Sequence, residues 1–216
     1  MKLRSKLLIL VLALVAAGGL AVVGVLLLTS PAPRTFTSGS AIVGKAIRTG
    51  TPAIGGPFTL VSTIGENVTD QSFRGKWLLI FFGYTFCPDL CPTALANVSV
   101  ALEKFGAGTN QLQPLFITVD PQRDTRDVIA NYLKSFDARI LGLTGTQAQI
   151  DNVLKEYRVY AALEKSETSG NDYLVSHSAY IYLMDPEGKF VNVIEGKEDG
   201  DAIAAWLRKE MTRWKR

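Results

Sequence analysis

The stretch Trp77-Leu78-Leu79-Ile80-Phe81-Phe82-Gly83-Tyr84-Thr85-Phe86-Cys87-Pro88-Asp89-Leu90-Cys91-Pro92 decides how the chain is read. Its first six residues are apolar without alternation, the pattern of a strand buried on both faces. The loop Gly83–Leu90 then leads to a helix predicted to begin near Pro92, since proline at a first helical position gives up only an N–H that has no partner there. Leu95, Val98, Leu102 and Phe105 recur at helical spacing and form its inner face. This placement puts Cys91 at the positive end of the helix dipole, among free N–H groups that favour a thiolate.

Working outward, Phe58–Ser62 and Asn67–Asp70 flank Gly65 as a hairpin. Leu115–Val119 reads as a second buried strand, followed by a helix over about Thr125–Ser135. A short strand at Ile140–Leu143 and a helix at Thr146–Tyr157 come next. Val175–Met184 and Lys189–Glu195 form a hairpin across the turn Asp185-Pro186-Glu187-Gly188, and a last helix covers Asp201–Trp214. That order is the order of an α/β, thioredoxin-like domain with an extra N-terminal β-hairpin and a middle insertion.

Before this domain, Leu7 through Leu28 contains only Leu, Ile, Val, Ala and Gly. At about 1.5 Å per helical residue it reaches about 33 Å, enough to cross a bilayer core. Lys2, Arg4 and Lys6 precede it, so the positive-inside bias puts the amino terminus in the cytoplasm and the rest outside. A cleaved signal peptide shares that basic start, but its apolar region is only about 7–15 residues and ends in a small-residue cleavage site. The reading is therefore a cytoplasmic basic start at 1–6, a transmembrane anchor at 7–28, a Pro-, Gly- and Ser/Thr-rich flexible tether at 29–53 and the domain at 54–216. A mitochondrial precursor is expected to carry an Arg- and Ser-rich amphipathic leader, whereas here the membrane run begins at residue 7. A bacterial inner membrane, with the domain in the periplasm, fits better than a mitochondrial inner membrane.

Charge and ligand counts narrow the chemistry. With 23 Lys+Arg against 20 Asp+Glu, and the basic excess near the two ends, nothing points to nucleic acid as a partner. Two cysteines and one histidine exclude a disulfide-dense scaffold, a four-cysteine zinc or iron–sulfur site and any multi-histidine metal centre. Thioredoxin-class exchangers have two residues between their cysteines, whereas three separate Cys87 from Cys91. They also need a proline against the dithiol, and none occurs between Pro121 and Pro186. A peroxiredoxin needs Thr or Ser three residues before its reactive cysteine, where this chain has Tyr84 and Pro88.

Topology supplies a third ligand. Parallel strands bring the cysteine loop and Asp120 to one sheet edge, and an antiparallel Val175–Met184 brings His177 to the same edge. Two thiolates select copper(I), and an imidazole lets the same site hold copper(II). A structural zinc wants four protein ligands and there is no third cysteine or second histidine, while a catalytic zinc with an open position would be unusual for a tethered exported domain.

At these residues the chain resembles the Sco/SenC family of membrane-tethered, thioredoxin-fold copper chaperones for cytochrome c oxidase assembly. The likeness runs from Ile54-Gly55-Gly56-Pro57-Phe58 to about Ala205. It rests on Cys87-Pro88-Asp89-Leu90-Cys91-Pro92, on Asp120-Pro121-Gln122-Arg123-Asp124-Thr125, on Gly142-Leu143-Thr144-Gly145 and on Val175-Ser176-His177-Ser178. The resemblance implies one copper ion held by Cys87, Cys91 and His177, and a functional role for Asp120. Many members have His at Phe86 and Asp at Ser176, a difference expected to alter the charge around His177. It further implies a redox-active Cys87–Cys91 disulfide that cannot take up copper, and delivery to the binuclear copper centre of oxidase subunit II. An upstream copper donor or thiol reductant would then act on this chain. Asp89 and Asp120 are candidate accessory residues for copper entry, with loop capping as their alternative role. Tyr84 and Phe86 are expected to shield the site. On this reading the chain is a metallochaperone rather than an enzyme, with no catalytic residues. The alternative is a thiol–disulfide reductase that keeps the oxidase cysteines reduced.

Overall fold

Residues 53–165 and 173–214 are described in the structure, a computed structural model. The predicted basic start, the anchor and nearly all of the tether lie outside the described residues. Among the described residues, no helix is long and apolar enough to cross a membrane.

The front hairpin pairs β1 (Thr59–Ser62) with β2 (Asn67–Thr69), turning at Gly65, whose φ of 90° suits glycine. β3 (Trp77–Gly83) is buried throughout, as its unbroken apolar run requires. Helix α1 spans Leu90–Phe105 and leads to β4 (Leu112–Thr118). Helix α2 (Arg126–Leu133) starts at Thr125, whose hydroxyl accepts the Val128 N–H at 3.3 Å. After β5 (Leu141–Thr144), helix α3 (Gln147–Glu156) opens with a capping box between Thr146 and Gln149. Strands β6 (Ala161–Lys165) and β7 (Tyr173–His177) pair antiparallel in a separate two-stranded sheet. The chain ends with β8 (Tyr180–Met184), β9 (Phe190–Glu195) and α4 (Gly200–Trp214).

The main sheet has the order β2-β1-β5-β4-β3-β8-β9, with β3, β4 and β5 parallel and β8 and β9 antiparallel. This is the thioredoxin-like arrangement, with the added hairpin on one flank. Right-handed crossovers from β3 to β4 and from β4 to β5 put α1 and α2 on one face, where α4 packs beside α1. Phe81 and Phe116 point to that face, and Phe82 points to the other, where it meets Tyr157 beyond α3.

Three expectations are corrected. Helix α1 starts at Leu90, two residues before Pro92, because proline is tolerated through the whole first turn where N–H groups have no helical acceptor. β4 begins at Leu112 rather than Leu115, and its first residues pair only with β3. The largest change is at Val175–Met184, which is two strands in two sheets. Tyr173-Leu174-Val175-Ser176-His177 alternates between inward and outward residues, whereas Ile181–Met184 is buried throughout. Between them, the Ser178 N–H donates to Tyr160 O at 2.9 Å and closes the β6–β7 arm before β8 begins.

Candidate metal centre

β3 ends at Gly83, and the backbone turns at once beneath α1. A Cβ at Gly83 would stand 3.0 Å from Cys91 Sγ, from Phe81 and from Phe116, so the loop can run this close only on glycine. Thr85 anchors the loop. Its N–H and hydroxyl both donate to the buried Asp124 carboxylate, at 3.0 and 2.6 Å, and the Thr118 hydroxyl at the end of β4 donates to the same group at 2.7 Å. Asp124 accepts all three with no cation beside it among the described residues, and burial raises its pKa above the ordinary aspartate value.

Cys87 is half-buried at the loop, and Cys91 is fully buried in the first turn of α1. The Cys91 N–H donates to Cys87 Sγ at 3.4 Å. The helix start therefore stabilises a thiolate on Cys87 rather than on Cys91, which corrects the sequence expectation. Its physical reason is the earlier start of α1: Cys91 sits inside the first turn and supplies an N–H, while Cys87 lies in front of it. The Cys87 pKa falls to about 3, chiefly because the Cys91 thiol donates to it, with His177 and the N–H groups of Cys91 and Asp89 adding to the effect against the cost of burial. Cys91 is pushed upward by the same thiolate and by burial, so it keeps its proton until a metal displaces it.

His177 comes from the end of β7. Its Nε2 lies 3.4 Å from Cys91 Sγ, and its Nδ1 is 3.1 Å from Ser178 O. A carbonyl only accepts, so Nδ1 donates to it and Nε2 is the ring nitrogen turned to the sulfurs. Tyr84 and Phe81 pack edge-on against the imidazole, and the Tyr84 hydroxyl accepts the Val175 N–H at 3.2 Å. The donor atoms of Cys87, Cys91 and His177 all lie within 4.8 Å of one another. Three donors about 2.3 Å from one ion in a plane would stand about 4 Å apart, so little movement separates this group from a three-coordinate site. Soft sulfur with one imidazole is a donor set for copper, and the residues fit that ion.

The accessory candidates are placed elsewhere. Asp120 is buried just after β4, and its carboxylate accepts Arg123 Nε at 2.5 Å and the Tyr173 hydroxyl at 2.8 Å, outside the cysteine–histidine group. Asp89 is exposed at the N-cap of α1, with the Thr93 hydroxyl 3.4 Å from its carboxylate. Tyr84 does wall the site. Phe86 does not: it is 55 % exposed, under the Arg123 guanidinium at 4.8 Å. Ser176 points away from the imidazole and donates to Glu164 on the outer side of the arm, so it sets no charge beside His177. Three residues of structural importance to the site carried no sequence-level role: Asp124, Arg123 and Tyr173. The first two stood in a quoted motif, but nothing local told that Asp124 is buried, and Tyr173 belongs to a strand whose partner β6 was not foreseen.

A sequence profile described as SCO1/SenC matches residues 47–212. The human protein SCO1 homolog, mitochondrial, is 39% identical over 169 residues, covering 77% of this chain and 56% of that protein. The structure is similar to that of Bradyrhizobium japonicum ScoI with copper bound, with a TM-score of 0.68, 46% identity and coverage of 73% of this chain and 99% of that one. Yeast Sco1 with copper bound gives a TM-score of 0.69 at 40% identity, covering 74% of this chain and 90% of that one. The chain spans about half the length of the curated relatives it matches.

Proposed function

This chain belongs to the SCO1/SenC family, and on that premise we propose that it binds one copper ion through Cys87, Cys91 and His177 and serves cytochrome c oxidase assembly as a metallochaperone. The observation that carries this reading is the convergence of the chain's only two cysteines and only histidine within 4.8 Å. Cys87 and the deprotonated Cys91 hold copper(I), and the Nε2 lone pair of His177 makes copper(II) acceptable. Oxidation of the pair to a disulfide consumes both sulfur donors, so the compartment's redox state gates loading. The receiving partner in this proposal is the binuclear copper site of oxidase subunit II. Residues 7–28 anchor the chain in a bacterial inner membrane, and 29–53 tether the domain at 54–216 in the periplasm.

A second reading has one observation in its favour. A half-exposed Cys87 thiolate beside a buried Cys91 thiol is also a nucleophile with a resolving partner, as a thiol–disulfide reductase would need. Copper titration of the reduced domain separates the two. The expected result is close to one copper per chain, with sulfur and nitrogen coordination by X-ray absorption, and loss of the nitrogen in His177→Ala. A domain that binds no copper but reduces disulfides equally well with and without His177 would overturn the chaperone reading in favour of the reductase.

A further inference from the structure

We propose that Asp120, Arg123 and Tyr173 form a clamp that positions His177 over the dithiol, acting through strand β7 rather than at the ion. The proposal rests on the copper reading above. Arg123 Nε donates to Asp120 Oδ2 at 2.5 Å, and its Nη1 donates to the backbone oxygen of Tyr173 at 3.0 Å. The Tyr173 hydroxyl donates to Asp120 Oδ1 at 2.8 Å, closing the ring of contacts. The guanidinium carbon lies 3.6 Å from the centroid of the Tyr173 ring, with the Phe86 ring at 4.8 Å. Asp120 is itself held, because its N–H donates to the Thr118 hydroxyl at 2.9 Å. Each oxygen of its carboxylate accepts one of these bonds, Oδ2 from Arg123 and Oδ1 from Tyr173.

Strand geometry carries this hold to the imidazole. Side chains alternate along β7, so Tyr173, Val175 and His177 share the inward side while Leu174 and Ser176 face outward. Tyr173 and His177 therefore occupy the two ends of one strand face, about 13 Å apart at about 3.3 Å per residue. The far end is fixed by the clamp, and the near end by Val175 N–H to Tyr84 and by His177 to Ser178 O. A two-stranded sheet is marginal by itself, so these ties decide where the imidazole stands. The segment Asp120–Asp124 thus serves both halves of the site: Asp124 holds the cysteine loop and Arg123 with Asp120 holds the histidine strand.

Imidazole matters more to copper(II) than to copper(I), which the two thiolates hold. Arg123→Ala is expected to weaken copper(II) about ten- to a hundredfold, as loss of an outer-shell partner does, with a smaller change for copper(I). Arg123→Lys keeps the charge but loses the planar fork and the stack, and should fall between Arg123→Ala and the unaltered chain. Tyr173→Phe keeps the stack and should lose least. In the reduced, copper-free protein, hydrogen exchange at the amides of Tyr173–His177 should quicken in Arg123→Ala while that of β3 stays unchanged. Equal exchange in β7 with and without Arg123 would overturn the clamp. So would a copper(II) affinity that falls in His177→Ala but not in Arg123→Ala. A copper(II) spectrum indifferent to His177→Ala would instead overturn the copper reading, leaving the exchange result to judge the clamp alone.

Discussion

The site joins two regions built in opposite ways. The cysteine loop grows from β3, a central strand of the seven-stranded sheet, and turns into α1. Its position is set by backbone packing against Gly83 and by Asp124, a carboxylate with no exposure. The β6–β7 arm is a two-stranded sheet whose Leu163 and Leu174 are 63% and 48% exposed. It is held to the site by a few side-chain contacts from Tyr84, Asp120 and Arg123. The difference teaches that the two sulfurs are a fixed feature of the fold, whereas the imidazole is delivered by an element that depends on its ties. Changes in the first region should alter thiol chemistry and stability, and changes in the second should alter the imidazole.

The largest expected effect breaks the sulfur pair. In the reduced, copper-free chain the Cys87 pKa of about 3 owes most to the Cys91 thiol, with His177 a smaller contributor. The thiolate is the reactive form, so alkylation of Cys87 by iodoacetamide should already be near its plateau in mild acid. In Cys91→Ala the titration should move upward by several pH units toward the ordinary thiol value of about 8.5. In His177→Ala it should move up less. A larger shift from His177→Ala than from Cys91→Ala would reverse the comparison and make the arm the controlling partner.

Next in size is the anchor beneath the loop. Asp124→Ala leaves the Thr85 N–H and two hydroxyls without their acceptor, and should cost about 3 kcal/mol in urea unfolding. Asp124→Asn tests the sign of its titration. Burial raises the folded pKa of Asp124, so the fold binds this proton more tightly than the unfolded chain does. That contribution is fully present below the ordinary aspartate value and is lost as pH rises through the folded one. Unfolding measured across pH should therefore move against the unaltered chain, relative to Asp124→Asn, as pH rises from about 4. A gap that widens in its favour would mean that Asp124 is stabilised as an anion.

The same contrast explains what could be read from the sequence. β3 and the cysteine pair are local signals, an apolar run and a spaced motif, and they stand where the residues implied. His177 reached the right edge because β8 does run antiparallel to β3, although the strand supposed to carry it is two strands. The β6–β7 arm carries little local signal, because each strand is short and Ala161–Lys165 has no β-branched or aromatic residue, although its partner begins only eight residues on. Which cysteine holds the charge turns on where α1 starts, and the sequence leaves that open because proline fits anywhere in the first turn. Asp124 is buried where Thr85, in the loop after β3, and Thr118, at the end of β4, both bond its carboxylate, a convergence no local pattern reports. The predicted anchor at 7–28 lies outside the described residues.

The smallest expected effect tests the arm one residue from the clamp. Leu174 follows Tyr173 but faces outward opposite Glu164, and it is half exposed. Substituting it removes little buried area, so Leu174→Ser should change stability by no more than about 0.5 kcal/mol. Copper stoichiometry and the copper(II) spectrum should stay as they are, since nothing on that side touches His177. Tyr173→Phe removes only one hydroxyl, fewer atoms than Leu174→Ser alters, yet that hydroxyl is bonded to the buried Asp120. If position on the strand face governs the outcome, the gentler substitution has the larger effect on copper(II) binding. Equal effects at both residues would mean that the arm responds to hydrophobic content as a whole, and that its inner face has no special hold on the imidazole.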